Sequence, residues 1–246
     1  MKLLAQIGRY FLLMKRAFSR PEKFSVLYRQ TMREMEKTGI NSFSIVVIIS
    51  LFVGAVITIQ TNYNIENPLL PNYLIGVTVR DSLLLEFSST MVALILAGKV
   101  GSSIASELGM MRVTEQIDAM EVMGINSASY LILPKMIATV LFFPVLCLLS
   151  IIVGLAGGYF SCVLGDVIPP SDFIEGIQYG FRPYYISYAL TKTAFYAFII
   201  TSVSSYFGYY VVGGAVEVGK SSTRAVVQSS ILILMANLIL TRTILQ

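Results

Sequence analysis

Residues 214–221 read GAVEVGKS and fit the phosphate-loop pattern G-x-x-x-x-G-K-[ST] letter for letter. Such a loop holds phosphate in successive backbone N–H groups, and it needs a buried strand before it, a helix after it and a further acidic residue for magnesium. Here the flanks are long apolar stretches, and about 12 loop residues cannot build a nucleotide domain. The match reads as a turn in which Lys220 and Arg224 face anionic headgroups. Three charges inside apolar stretches, Lys99, Glu107 and Lys192, carry more chemical weight, because a charge at membrane depth is costly unless paired or hydrated. Glu107 has Arg112 and Arg224 as candidate partners, with structural pairing and gating both open. Lys192 lies about nine residues, or roughly 13 Å, inside Pro183 and either snorkels outward, the simpler reading, or holds a lipid phosphate. Glu86 sits near an outer edge and is expected to be solvated.

A third group is not catalytic in type. Residues 111–125, MRVTEQIDAMEVMGI, form a polar island between apolar stretches. On one helix Glu115, Asp118 and Glu121 make an acidic stripe, and Val113, Ile117, Met120 and Gly124 an apolar one. Gly124 is placed to stop that helix and Pro134 to start the next. A helix with two such faces suits a partner protein. Enzyme constellations are missing: the chain has no histidine, which removes the usual triads and general bases, and its carboxylates are scattered. Cys147 and Cys162 lie about 22 Å apart along one helix, too far for a disulfide, so both read as buried thiols. Metal ligands are scarce, and no metal is expected.

The elements that must position these residues follow from composition. The chain has 246 residues, 55% of them hydrophobic and 13% charged, and its mean hydropathy is +0.73. It has too little polar surface for a soluble globule and reads as an all-α integral membrane protein. Apolar stretches at 41–60, 83–111, 131–165, 184–212 and 225–245 each suit a bilayer crossing, giving five spans. A six-span alternative would split 131–165 at Pro144, but no polar loop lies beside it, so a kink is expected. Nine of the 18 Lys and Arg fall in the first 37 residues. The positive-inside rule therefore puts the N-terminus in the cytoplasm and, after five crossings, the C-terminus outside. The same alternation puts 111–130 and 213–224 inside, and 61–82 and 166–183 outside with only Arg80 and Arg182. The net charge of +4 points to anionic lipid headgroups and not to nucleic acid.

Residues 1–38 are read as an interfacial segment, because Arg9, Lys15 and Arg16 interrupt any leader-like apolar core. Leu3, Ile7, Tyr10, Phe11, Met14 and Phe18 share one face, and Lys2, Arg9, Arg16 and Arg20 the other, with Leu12 and Leu13 off the pattern. Small residues recur at packing spacing at Gly98, Ser102, Ala105 and Gly109, and at Gly154 and Gly158. Tyr63, Tyr73, Tyr179, Tyr184, Tyr185 and Tyr188 are candidate interfacial anchors in a chain without Trp.

Residues 97–135, AGKVGSSIASELGMMRVTEQIDAMEVMGINSASYLILPK, closely resemble the signature of the MlaE family of ABC-transporter permeases. KTAF at 192–195 and GGAVEVGKSSTRAVVQSS at 213–230 extend the resemblance, which covers essentially the whole chain as one permease domain, 1–246, with its bundle at 41–245. Two departures are Ser127, where the family commonly has Pro, and Lys135, where it commonly has Arg. Asp118, Ala119, Met120 and Gly124 echo the Glu-Ala-Ala then Gly coupling motif of other ABC importers. The resemblance implies a homodimer in a bacterial inner membrane that moves phospholipid to or from an MCE-domain protein and maintains outer-membrane lipid asymmetry. It implies a cytosolic ABC ATPase using ATP and magnesium, with this chain binding no cofactor, and a STAS-domain accessory protein alongside. It implies that the coupling helix 111–125 meets the ATPase through Arg112, Thr114, Glu115, Gln116, Asp118, Met120, Glu121, Met123 and Gly124, while Lys99, Glu107 and Lys192 bind lipid or gate. Two rival classes are a self-contained ion-coupled transporter or channel, with those three charges as coupling groups, and a scaffold without transport.

Overall fold

Every apolar stretch becomes a helix, and all but the fourth extend beyond the stretch itself. The computed structural model describes residues 2–19, 23–65 and 71–245. The helices are α1 Lys2–Phe18, α2 Phe24–Asn64, α3 Tyr73–Val113, α4 Gln116–Val122, α5 Ser127–Gly165, α6 Pro170–Gln178, α7 Tyr184–Tyr209 and α8 Ala215–Leu245. No strand occurs among the described residues. Five of these helices, α2, α3, α5, α7 and α8, are long and apolar enough to cross a membrane, so the chain is an all-α multi-pass membrane protein with the expected span count. At 41 and 39 residues, α2 and α5 run to about 60 Å at 1.5 Å per residue, twice the roughly 30 Å hydrocarbon thickness. The polar start of α2 stays helical because its Arg, Gln, Met, Glu and Lys are good helix formers.

Two boundaries differ from expectation. Helix α5 begins at Ser127 and passes through Pro134 unbroken, so Pro134 is interior and does not start it. Asn126 supplies the start: its carbonyl accepts from the Tyr130 amide at 2.9 Å and its side-chain oxygen from the Ser129 amide at 3.4 Å, the work of an N-cap. Pro144 leaves α5 continuous as well. Helix α6 lies within a segment read as loop, 166–183, and begins with proline at its first turn, where a missing N–H costs nothing.

Three wide turns, with i to i+5 geometry, interrupt the α pattern at Glu36–Ile40, Leu83–Met91 and Ala97–Gly101. Each holds one charged residue with a partner: Lys37, Glu86 and Lys99. Such bulges misalign local carbonyls and recur at functional positions.

The chain divides into two compact units, Met1–Ser42 with Ala93–Phe143 and Ala194–Gln246, and Phe43–Val92 with Pro144–Thr193. In the first, α3 packs along α8. A Cβ at Gly208 would meet the Ala105 carbonyl oxygen at 2.7 Å and one at Gly109 would meet Val218 at 3.0 Å, whereas Gly98 faces open space. In the second, α2 and α5 touch backbone to backbone, since a Cβ on Gly54 would overlap the Gly154 carbonyl and one on Gly157 the Leu51 carbonyl. Ser50 donates to Ser150 at 2.8 Å along the same seam. Its core is Ile57, Ile75, Val79, Leu83, Cys162, Ile168 and Phe173. Cys147 and Cys162 are buried and free, and Tyr188 is buried, not an interfacial anchor.

Helix α1 is docked, not lying free. Leu13 and Ala17 are fully buried and Met14 nearly so, and Tyr10 donates to Ser202 at 2.9 Å. Ile7, Phe11, Leu12 and Phe18 stay exposed. The helix thus has two apolar faces, and Leu13, off the single-face pattern, belongs to the docking one. The side chains of Lys2 and Leu3, and Arg20, lie outside the described residues.

Candidate functional site

The polar island does not form one helix. Helix α3 runs to Val113, where the Thr114 amide and hydroxyl both return to the Met110 carbonyl at 2.9 Å. Glu115 then takes a left-handed conformation, φ 60°, and α4 starts at Gln116. The Gly124 amide donates to Glu121 and the Ile125 amide to Met120, both at 3.0 Å. With Gly124 at φ +79°, this is a Schellman stop, and Gly124 ends the helix as its position suggested. The reversal at Glu115 was not visible in the sequence, because a left-handed non-glycine residue leaves no trace in apolar periodicity.

The break disperses the acidic stripe. Asp118 pairs with Arg112 back across the reversal. Glu121 turns inward, and its Oε1 accepts from Arg16 at 3.0 Å, from Ser127 at 2.9 Å and from Tyr209 at 2.8 Å. Partial burial works against the Glu121 charge, yet the Tyr209 and Ser127 hydroxyls and the Arg16 guanidinium outweigh it and hold the carboxyl below its usual value. Asn126 donates to the Arg16 and Ser19 carbonyls at 2.9 and 2.8 Å, fastening the end of α1 beside this turn. Ile117 is fully buried and anchors α4, while Val122 and Met123 are 89% and 67% exposed. Thr114, Glu115, Gln116 and Gly124 are exposed with them, and Met120 is half-buried. The presented surface is therefore an apolar tip edged by Glu115 and Gln116, with the ion-paired Asp118 and Glu121 also reaching solvent. Val122 was missed; an apolar pair just before a helix-stopping glycine is the signal that points to it.

Each membrane-depth charge finds a polar partner inside the fold, Glu107 and Lys192 in ion pairs and Lys99 at a backbone carbonyl. In the first unit Glu107 accepts from Lys37 at 2.8 Å and from Lys135 at 2.9 Å, and Lys135 also reaches Glu34 at 2.7 Å. Neither Arg112 nor Arg224, the expected partners of Glu107, takes that role. Lys135 is 3% exposed, and removing one partner of such a pair typically costs about 3 to 5 kcal/mol. Lys99 donates to the Asn41 carbonyl. In the second unit Lys192 does not snorkel: it is fully buried and donates to Glu86 at 3.0 Å, to the Tyr188 hydroxyl at 3.0 Å and to the Leu85 carbonyl at 3.1 Å. Glu86, expected to be solvated, is half-exposed and ion-paired. A buried partner within reach is less costly than bending the Lys192 stem along roughly 13 Å of helix.

The phosphate-loop lookalike is helical from Ala215, preceded by helix α7, with the turn made by Gly213 at φ +118°. Its amides from the second turn on are consumed within α8, and Lys220 pairs with Glu217 at 2.6 Å.

A model of the family described as Permease MlaE matches residues 31–243. A probable ABC transporter permease protein of Rickettsia bellii is 33% identical over 240 residues, covering 98% of this chain and 92% of that protein. The Arabidopsis thaliana protein TRIGALACTOSYLDIACYLGLYCEROL 1, chloroplastic, is 34% identical over 221 residues, 89% of this chain and 62% of that protein. The intermembrane phospholipid transport system permease protein MlaE of Haemophilus influenzae is 30% identical over 210 residues, 85% of this chain and 80% of that protein. The family match takes in α3, α5, α7, the turn at α4 and all but the chain-terminal ends of α2 and α8, and the chain belongs to the MlaE permease family.

Proposed function

We propose that this chain is the membrane subunit of an ABC transporter that moves phospholipid between a bacterial inner membrane and an MCE-domain partner, in a system that keeps the outer membrane asymmetric. The observation that carries the reading is the match over residues 31–243, together with the likeness to a relative named for intermembrane phospholipid transport. In this reading the chain is a homodimer, its N-terminus is cytoplasmic and its C-terminus periplasmic, and a separate ATPase, with a STAS-domain protein beside it, spends ATP and magnesium.

The α4 tip is the grip for that ATPase. Val122 and Met123 enter a groove on the ATPase, with Glu115 and Gln116 at its edge; Arg112, Thr114, Asp118, Met120 and Gly124 shape the turn. A push on the tip passes to α3 through Arg112 and Asp118, and to α5 through Glu121 and Ser127. Long helices transmit the displacement as rods, and the wide turns of α3 are where it bends. Glu107 and Lys192 hold the bundle together as paired charges and Lys99 as a donor to the Asn41 carbonyl, with lipid contact or gating following from changes in those contacts. The same pairing weighs against a self-contained ion-coupled transporter, which needs a membrane charge free to change its proton or ion.

The test is purification of the tagged chain from its native membrane in mild detergent, with mass spectrometry of co-purifying proteins and lipids. An ABC ATPase, an MCE protein and retained phospholipid are expected. Recovery without an ATPase, under conditions that preserve other membrane complexes, would overturn the reading and favour a stand-alone transporter.

A further inference from the structure

Helix α1 is docked along one side and leaves a cleft along another. The docked side buries Leu13 and Ala17 fully, and two fastenings fix the helix in place. Tyr10 donates to Ser202 at 2.9 Å with its ring edge-on to Tyr206 at 5.9 Å, and Asn126 donates to the Arg16 and Ser19 carbonyls. The cleft between α1, α7 and α8 has a volume of about 560 Å³, within the roughly 300 to 1,000 Å³ of ligand pockets. Its apolar wall comes from Ile7 and Phe11 on α1, Val203 on α7 and Leu232 on α8. Three polar groups share the cleft, the Gln6 and Gln228 amides and the Tyr206 hydroxyl. Among the described residues, none of those three side chains makes a hydrogen bond.

The polar and apolar groups are sorted by depth. The apolar stretch of α8 begins at residue 225, so Gln228 lies about 5 Å inside it and Leu232 about 6 Å further in. On α7, Tyr206 stands close to the end at Tyr209 and Val203 about one turn deeper. An amide or hydroxyl left without a partner at the edge of hydrocarbon is costly. Each of the three carries an N–H or O–H, so the missing partner is a set of acceptors. The ester carbonyls of a glycerolipid are such acceptors, they lie at that depth, and the acyl chain attached to them fills the apolar end. Phe207 and Gln228 also line a second recess of about 540 Å³ that reaches Lys220, Thr223 and Arg224, where a headgroup has room. We propose that this cleft seats one phospholipid by its ester groups, through Gln6, Tyr206 and Gln228, with an acyl chain between Ile7 and Leu232. The seat reads the uncharged middle of the lipid, and it depends neither on the transport reading nor on which way the chain crosses the membrane.

The experiment places the full chain in nanodiscs containing phosphatidylethanolamine with a diazirine on its acyl chain and maps the photocrosslinks by mass spectrometry. This lipid has no net charge, so attraction between basic residues and an anionic surface does not enter. Ile48 is the reference for lipid that merely surrounds the protein: it is 58% exposed and lies as far into its apolar stretch as Leu232 does. Crosslinks at Ile7, Phe11 and Leu232 should exceed those at Ile48 by roughly tenfold, about threefold for each of the two amides. L232W fills the cleft and Q6L/Q228L removes its amides, and each should bring the yield at Ile7 and Phe11 down to that at Ile48, with melting temperature as the check on folding. Equal yields at the cleft and at Ile48 in the wild type would mean surrounding lipid only and would overturn the seat. An excess that persists in folded Q6L/Q228L would overturn recognition through the esters. Bridging of two L232C chains by a short bis-maleimide would put a second copy in the cleft, and the lipid assignment would fall with it.

Discussion

Two short helices, α4 and α6, both link long helices, and they are held in opposite ways. Helix α6 is welded to the start of α3: a Cβ on Gly176 would overlap the Tyr73 carbonyl and meet the Gly76 Cα at 2.8 Å, and Phe173 is fully buried. Its C-terminal carbonyls are closed by Arg80, which donates to Ile177 at 2.9 Å and Tyr179 at 2.7 Å while pairing with Asp81 at 2.9 Å. Helix α4 has one buried anchor, Ile117, and is otherwise held by polar side chains at its two ends. A link held by backbone contact resists displacement, whereas one held by a few polar contacts and an exposed tip can be gripped without unravelling the helices it joins. Rigidity in one unit and a handle in the other are thus written in glycine contacts and in where the apolar side chains end up.

The largest expected effect breaks the welded link. Gly176→Val should destabilise the purified chain by at least about 3 kcal/mol, since backbone and not side chain must move. By contrast, Gly124→Ala at the end of α4 meets nothing within 4 Å and is strained only by its φ of +79°, so it should cost about 1 kcal/mol. Melting curves in detergent compare the two; equal losses would remove the distinction between the links.

Arg80 comes next. Arg80→Met keeps the apolar stem but leaves the α6 carbonyls and Asp81 without their buried donor, for about 3 kcal/mol. Protease nicking confined to residues 170–182 would place the loss at α6, while uniform unfolding at wild-type temperature would mean that Arg80 holds nothing.

These contacts also show what the sequence could and could not reveal. Five spans, the helical class and the glycine stop at Gly124 follow from apolar length and local turn chemistry, which are legible in one dimension. The ion-pair partners of Lys192, Glu107 and Lys135 were not, because each lies on another helix and the competing local choice, snorkelling or a nearby Arg, looked simpler. The wide turns that bring Lys37, Glu86 and Lys99 to their partners insert one residue per turn, which an apolar run absorbs without any visible change of period. Glu115 hid the break in the polar island for the same reason: the acidic spacing is right for a helix that stops being one there. Arg80 read as an outer-loop charge because α6, whose carbonyls bury it, is too short to stand out.

Glu121 sharpens the comparison by pH. Its folded carboxyl titrates below its usual value near 4.5, so folding favours the ionised form. That contribution is complete above the usual value and is lost as pH falls through the folded one. Because the side chain is 38% exposed, solvent screening keeps the effect below about 1 kcal/mol. Glu121→Gln should therefore lower stability slightly at neutral pH and flatten the acid limb of a melting-temperature profile taken down to about pH 3. A variant with an unchanged acid limb would mean that Arg16, Ser127 and Tyr209 do not stabilise the charge.

The smallest effect on stability is also the most direct on the handle. Reversing Glu115, Asp118 and Glu121 together would confuse grip with folding, since two of the three serve the turn itself. Val122→Asp with Met123→Asp touches only exposed atoms, so stability should stay within about 0.5 kcal/mol. Charging the apolar tip should nonetheless weaken association with a partner ATPase by about tenfold or more, as expected when a central apolar contact is lost. Association unchanged in a folded double variant would leave the tip without a grip, and α4 would then differ from α6 only in being loosely packed.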